Sequence, residues 1–245
     1  MLDSATIETV DRYWMSDLGC SRDDLYSRQT LIVPHSTSLS DYHGIFVFLH
    51  DELLLISVPR SLIDVIRRNA EGWSRSATLQ EDRLRALVSY PIEQVIGPAF
   101  VGYTNRANFR PTPAAGAHVL GQQDITALED LRSACSELEW EHGGSQLGDR
   151  PVIGEYSGDQ LVAVASYKLW GGEIAHTYVI THPQHRGKGY GKSVVSRITD
   201  EALNQSLVPQ YQTLEDNVSS MAIARSLGFE RYAKTVAVRF RSGST

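Results

Sequence analysis

The segment most informative about the fold reads His182-Pro183-Gln184-His185-Arg186-Gly187-Lys188-Gly189-Tyr190-Gly191-Lys192. A strand-like run, 174–180, precedes it, and a helix-like run, 193–198, follows it. Its three alternate glycines leave backbone N–H groups uncovered where a helix begins, and the positive end of the helix dipole points to the same place. Arg186, Lys188 and Lys192 add positive charge. The segment therefore predicts a diphosphate-binding loop.

Two other nucleotide-binding loops fit this segment less well. A dinucleotide loop needs Gly-x-Gly-x-x-Gly, whereas the glycines here follow a Gly-x-Gly-x-Gly pattern. A P-loop needs Gly-Lys-Ser/Thr at a set distance after its first glycine, and Gly191-Lys192-Ser193 comes one residue too early after Gly187. A nucleoside-triphosphate site and a glycine-rich turn without any ligand both remain open at this point.

Two motifs resemble those of the GNAT superfamily of acyl-CoA-dependent N-acyltransferases. Arg186-x-x-Gly189-x-Gly191 is similar to its coenzyme A pyrophosphate loop, and the run from Asn217 to Leu227-Gly228-Phe229 is similar to its late signature. The local pattern agrees, because an Asn can cap a helix and a Gly can end one. The resemblance covers roughly residues 120 to 240. It implies an α/β fold with a mixed sheet and helices on both faces.

Composition limits the class of protein. The chain has 245 residues, a formal net charge of -6 and 42% hydrophobic residues, which suits one large or two small domains. The sequence contains no apolar run long enough to span a membrane, and its N-terminus does not resemble a signal segment. Cys20 and Cys135 lie in no motif, so we expect reduced thiols and a cytoplasmic location. The acidic balance argues against a nucleic-acid partner.

The hydrophobic patterns suggest a domain at 1–115 and a GNAT-like domain at 116–245. In the first, we expect helices at Ser4–Leu18 (capped by Ser4), 61–69 (ending near Gly72) and 78–88, and strands at 30–33, 45–49, 53–58 and 99–103. In the second, we expect helices at 125–138, 190–207 and 218–227, and strands at 151–156, 161–170, 173–181, 211–214 and 232–240. The first domain could form part of the substrate cleft, and one hypothesis makes it a degenerate copy of the second.

The resemblance also implies where the chemistry lies. A backbone N–H on the strand before the loop holds the thioester carbonyl in this superfamily, and it maps to Val179, Ile180 or Thr181. Glu173 resembles the base glutamate of the histone-acetylating branch in strand and offset, although a solvated residue at the start of a strand is the alternative. His176 is a rival base with a near-neutral intrinsic pKa, and it lies on the opposite strand face from Glu173.

The cofactor site implied by the resemblance is larger than the three glycines. We expect coenzyme A to contact a set of residues from the loop and the late helix: Arg186, Gly187, Lys188, Gly189, Tyr190, Gly191, Lys192, Asn217 and Ser220. One position departs from the family, because many members carry a tyrosine acid where this chain has Ala224 or its neighbours Ile223 and Arg225. His176, His182 and His185 match no closed metal site, so we expect no metal.

These observations favour an N-acetyltransferase. We expect transfer of an acetyl group from acetyl-CoA to a primary amine of a small molecule or peptide, by direct attack in a ternary complex. The alternative is an inactive coenzyme A-binding sensor or scaffold, which the missing tyrosine permits. A homodimer, the acceptor and the general acid stay open.

Overall fold

The computed structural model describes residues 1–71, 73, 80–113 and 116–241. The chain forms two compact units. Unit 1 comprises Met1–Ile7, Gly102–Gln212 and Asn217–Glu230, and unit 2 comprises Glu8–Val101, Thr213–Asp216 and the chain from Arg231 onward. The units are therefore interleaved along the chain, whereas the sequence suggests consecutive domains at 1–115 and 116–245, and that division stays a prediction.

The regular elements are named here in chain order. The strands are β1 (Thr30–Pro34), β2 (Gly44–His50), β3 (Leu53–Val58), β4 (Ile92–Tyr103), β5 (His118–Val119), β6 (Ile153–Ser157), β7 (Gln160–Trp170), β8 (Ile174–Thr181), β9 (Val208–Leu214) and β10 (Glu230–Phe240). The described α-helices are α1 (Ser4–Leu18), α2 (Arg22–Leu25), α3 (Ile63–Asn69), α4 (Glu81–Ala86), α5 (Ile125–Ala134), α6 (Glu137–Gly143), α7 (Tyr190–Asn204) and α8 (Val218–Ser226).

Unit 1 contains a mixed sheet in the order β9-β8-β7-β6-β5. The strands β5 to β8 pair antiparallel, and β8 pairs parallel with β9. The two faces of β8 meet different helices, because side chains alternate along a strand. Ile180 packs in a cluster with Leu128 and Leu131 of α5, whereas Val179 and Thr181 lie beside Gly191 of α7. Helices therefore cover both faces of this sheet, as the sequence predicts.

The strands of unit 2 are hydrogen-bonded to one another in the order β1-β3-β2-β10-β4, with parallel and antiparallel pairs. The hairpin β2–β3 is antiparallel, and β1 pairs parallel with β3. One core cluster joins these strands to α3 and α4. On α1, Trp14 is buried with its ring 4.6 Å from that of Phe48. The mixed α/β class is confirmed in both units.

Several predicted boundaries were wrong for local reasons. The helix expected at 125–138 is two helices, because Ser136 and Glu139 form a capping box that begins α6. The cap of α1 is Asp3 rather than Ser4, since Asp3 Oδ1 accepts a hydrogen bond from Thr6 N at 2.8 Å. The helix expected at 78–88 is described as Glu81–Ala86; residues 78 and 79 and Gly72 lie outside the described residues.

Two strands also differ from the sequence prediction. β4 begins at Ile92, earlier than the expected 99–103, and β8 begins at Ile174, so Glu173 lies in the turn before it. Among the described helices, none is both long and apolar enough to cross a membrane. Cys20 and Cys135 are free thiols.

Candidate active site

The glycine-rich loop between β8 and α7 has the backbone of an open turn. Gly187 has φ +75° and Gly189 has φ +94°, values that L side chains rarely adopt. A Cβ added at either position would meet nothing within 4 Å, so both face open space. Gly191 is constrained differently, because a Cβ there would lie 2.9 Å from Thr181 Oγ1. The glycines thus serve a left-handed turn at two positions and close packing of helix on strand at the third.

The start of α7 presents unsatisfied polar groups to the loop. Gly189 is the N-cap residue and supplies no side-chain hydrogen bond, which leaves the first-turn amides of Tyr190, Gly191 and Lys192 without a capping partner. Ser193 Oγ is buried and has no hydrogen-bond partner in the described structure. Amides and a hydroxyl at the positive end of a helix of 15 residues suit an anionic oxygen ligand. These residues fit a pyrophosphate group.

The three cations of the loop differ in their surroundings. Arg186 Nη2 forms an ion pair with Glu139 Oε1 at 2.6 Å, and Arg186 Nε donates to Thr181 O at 3.2 Å. Lys188 is exposed and Lys192 is half-buried. Partial burial, together with Lys188 and His182, lowers the pKa of His185. Arg186 therefore braces the loop against α6, and positive charge directed at a ligand would come from Lys188 and Lys192.

The parallel strands β8 and β9 separate partway along their length. In the described structure they pair through three positions only, namely Ile174–Val208, Ala175–Pro209 and His176–Gln210, although both strands continue beyond them. A parallel ladder that stops leaves backbone groups unpaired on the facing edges. The gap that opens after His176 and Gln210 is called the fork here, and His176 lies at its apex.

The strand register shows which backbone groups face the fork. Val208 N donates to Glu173 O, so odd-numbered residues of β8 direct their backbone groups toward β9. His182 N donates to Val162 O, so even-numbered residues direct theirs toward β7. Ile180 N–H therefore faces β7 and is not available as the predicted carbonyl ligand. Val179 and Thr181 face the fork, which narrows the three sequence candidates to two.

His176 is held at the apex by a chain of side chains. Its Nδ1 lies 2.5 Å from Gln210 Oε1, and Gln210 Nε2 donates to Tyr103 Oη at 2.5 Å. Because an amide oxygen only accepts, His176 carries its proton on Nδ1, and Nε2 keeps its lone pair. The ring stacks on Trp170 with a centroid distance of 3.8 Å and an interplanar angle of 9°. Burial, above all, lowers the pKa of His176 to about 4, so the ring is neutral at neutral pH.

Glu173 occupies a different place from the one expected. It is exposed in the turn before β8, and its carbonyl belongs to the paired part of the β8–β9 ladder. Glu173 lies six positions before Val179, which is about 20 Å at the spacing of an extended strand, whereas His176 lies three positions before it, about 10 Å. The structure therefore brings His176, and not Glu173, to the fork.

The late helix α8 begins at a side-chain cap. Asn217 Oδ1 accepts hydrogen bonds from Ser220 N at 3.1 Å and from Ser219 Oγ at 3.0 Å. Ser220 Oγ lies 2.9 Å from Tyr211 Oη, which is buried. Of the two roles expected for Asn217, the helix cap is the one described by these contacts. Ser220 faces a tyrosine from β9.

Sequence reasoning missed one position that shapes the fork. Gly143 ends α6, and a Cβ there would lie 2.3 Å from Val179 O. Only a glycine allows α6 to approach the strand edge this closely. The available sequence signal was the Gly143-Gly144 pair at the end of a short helix. No group of three or more His, Cys, Asp or Glu residues that could hold a metal ion occurs in the described part of the chain.

Comparison with known proteins identifies the class of this site. Residues 153–238 match the model of the GNAT acetyltransferase family. The matched segment runs from β6 into β10 and includes the fork, the glycine loop and both late helices. This part of the chain therefore belongs to the GNAT superfamily of acetyltransferases.

The individual relatives share low sequence identity with this chain. The L-methionine sulfoximine/L-methionine sulfone acetyltransferase of Salmonella typhimurium is 28% identical over 114 residues, which cover 44% of this chain and 66% of that protein. The match thus spans just under two thirds of that relative. A GNAT-family acetyltransferase from Colwellia psychrerythraea aligns over 98% of both chains with a TM-score of 0.51 and 14% identity, which shows a shared fold. YncA of Salmonella typhimurium, solved with its cofactor acetyl-CoA, is 17% identical with a TM-score of 0.38 and covers 53% of this chain and 95% of its own.

Proposed function

We propose that this protein transfers an acetyl group from acetyl-CoA to a primary amine of a small molecule or peptide. The observation that carries the proposal is the uncapped start of α7, where free amides meet an orphaned hydroxyl at Ser193. Open space at Gly187 and Gly189 leaves room for a bulky ligand against the backbone. Membership of residues 153–238 in an acetyltransferase family supports the same activity.

The pyrophosphate of coenzyme A would bind at the start of α7. The amides of Tyr190, Gly191 and Lys192 and the hydroxyl of Ser193 would donate to its oxygens, because these donors have no other partner to satisfy. Lys188 and Lys192 would add charge. Arg186 would act indirectly, since its ion pair with Glu139 fixes the loop to α6.

The thioester would lie in the fork. There the N–H of Val179 faces the gap between strands and can hold the thioester carbonyl oxygen, as an oxyanion-type donor does. The amine nitrogen attacks the carbonyl carbon in a ternary complex, the carbon–sulfur bond breaks, and coenzyme A leaves as a thiolate. The surplus proton passes from the nitrogen to a base or to water.

Two residues compete for that proton. His176 is neutral, lies at the apex of the fork and keeps a lone pair on Nε2. Glu173, the base expected from the sequence, is exposed and farther along the strand. We favour His176 as the acceptor of a hydrogen bond from the amine. Because its pKa is low, it holds a full proton weakly, so amines that arrive neutral should react fastest.

A pair of glycine variants tests the binding site. Gly189→Ala and Gly158→Ala both put a side chain at positive φ, +94° and +62°, with nothing within 4 Å of the new Cβ. Each should lower the free energy of unfolding by about 1 kcal/mol, the usual cost of left-handed backbone for alanine. Only Gly189→Ala should also weaken acetyl-CoA binding, because its methyl group occupies the ligand's space. Equal acetyl-CoA affinities in the two variants, measured by calorimetry, would contradict the site.

The alternative of an inactive sensor or scaffold has one observation in its favour. α8 carries no tyrosine that could protonate the thiolate, and Ile223, Ala224 and Arg225 occupy the region where many members of the superfamily have one. Release of free thiol from acetyl-CoA with a panel of amines separates the two functions. Acetyl-CoA binding without thiol release above the rate without amine would support the sensor and reject the enzyme.

A further inference from the structure

A charged and aromatic cluster lies beside the apex of the fork, on the face of β7 and β8 opposite α7. It consists of Lys168 and Trp170 from β7 and His176 and Tyr178 from β8, and is called the apex cluster here. Lys168 is directly opposite His176 in the antiparallel register, so their side chains emerge on the same face about 5 Å apart at the backbone. The cluster does not contribute to the coenzyme A loop described above.

The contacts within the apex cluster fix its chemistry. Lys168 Nζ lies 5.0 Å from the centroid of the Tyr178 ring, and this cation–π contact leaves the ammonium charge exposed. Lys168 lies opposite His176 in the strand register, and its positive charge adds to the effect of burial in lowering the pKa of His176. Trp170 and Tyr178 flank the imidazole by stacking and by an edge contact. A cation and a neutral hydrogen-bond acceptor thus lie side by side, next to the two aromatic rings.

We propose that the apex cluster is the acceptor subsite, and that it selects an amine whose molecule also carries a carboxylate, that is, an amino acid. Lys168 binds the carboxylate, His176 Nε2 accepts a hydrogen bond from the neutral amine, and the aromatic rings contact the apolar part. This inference rests on the proposed function, since it assigns the acceptor of that reaction. A simple cationic amine is disfavoured here, because Lys168 repels it and no carboxylate belongs to the cluster.

The subsite predicts a preference that can be measured with matched substrates. L-Phenylalanine and phenethylamine differ by the carboxylate, as do L-leucine and 3-methylbutylamine. For each pair, kcat/KM of the parent protein should be about 10- to 100-fold higher for the amino acid, the usual effect of one charge-assisted hydrogen bond. The assay is free-thiol release from acetyl-CoA, at a pH high enough to leave much of each amine neutral.

Two variants of one residue then assign the preference. Lys168→Met should abolish the preference by lowering kcat/KM for the amino acids, whereas kcat/KM for the plain amines, which Lys168 repels, should not fall. Lys168→Arg should keep it, because the positive charge remains. The thermal shift given by acetyl-CoA should be the same in both variants, which shows that the fold and the cofactor loop are intact.

Failure of this inference is distinguishable from failure of the proposed function. Turnover of the plain amines as fast as the amino acids, or an equal loss of both classes in Lys168→Met, overturns the subsite while acetyl transfer stands. Acetyl-CoA binding with no thiol release for any amine overturns the proposed function, and the subsite with it.

Discussion

The low pKa of His176 makes the stability of this protein depend on pH in a defined window. Burial is the main cause, and it places the pKa at about 4, against an ordinary histidine value of 6.5. At pH values between these two pKa values, the unfolded chain binds a proton at His176 and the folded chain does not. Stability contributed by neutral His176 is therefore complete above pH 6.5 and is lost as the pH falls toward 4.

The stability that neutral His176 contributes follows from the size of its pKa shift. One pKa unit corresponds to about 1.4 kcal/mol, so a shift of this size gives about 3 kcal/mol in total, of which about 2 kcal/mol is lost by pH 5. The ring's fixed position explains the cost, since protonation would charge a ring that stacks on Trp170 and faces Lys168. Only Gln210 opposes the shift.

Urea unfolding at pH 7 and pH 5 measures the effect. In His176→Gln, which cannot titrate, the fall in unfolding free energy between the two pH values should be about 2 kcal/mol smaller than in the parent. His142→Gln, which removes an exposed histidine, serves as the control and should fall as the parent does. Parallel losses in the parent and His176→Gln would refute the idea that a neutral imidazole with a lowered pKa lies at the apex.

Three further variants test the supports of the site. Asn217→Ala should lower the unfolding free energy by about 1 kcal/mol through loss of the α8 cap; a larger loss in acetyl-CoA affinity than in stability would instead indicate direct contact. Gly228→Ala should lower the free energy of unfolding in urea by more than about 2 kcal/mol, because φ is +85° and the new Cβ would lie 2.0 Å from Asn108 O. A smaller loss of unfolding free energy would contradict that packing. Arg186→Gln should weaken acetyl-CoA binding several-fold, as measured by calorimetry. Glu139→Gln should do the same if the ion pair acts by fixing the loop. A loss of acetyl-CoA affinity in Arg186→Gln alone would mean that Arg186 contacts the ligand.

The parts of the site that could be predicted from sequence are those set by local backbone chemistry. The glycines of the loop and the Asn cap of α8 are local signals, because positive φ and helix capping depend on a few neighbouring residues. The fork depends on where a parallel ladder stops, and that is decided by long-range packing. The offset of Glu173 from Arg186 predicts a base on the strand, yet the turn at Gly171-Gly172 keeps Glu173 out of β8. The bond from His176 to Gln210 joins residues 34 positions apart, which no local pattern can reveal.

The identity of the base can be decided with two single substitutions, one on β8 and one in the turn before it. If His176 accepts the amine's hydrogen bond, His176→Gln should lower kcat by about 10-fold, the usual effect of one lost hydrogen bond, while acetyl-CoA affinity is unchanged. Glu173→Gln should keep most of the turnover, because the exposed carboxylate lies about 20 Å of strand away from Val179. The rate of the parent should rise with pH toward the pKa of the acceptor amine rather than level off near neutrality, since His176 is already neutral there. A large loss in Glu173→Gln with full activity in His176→Gln would restore Glu173 as the base and place the reacting amine at the paired end of β8.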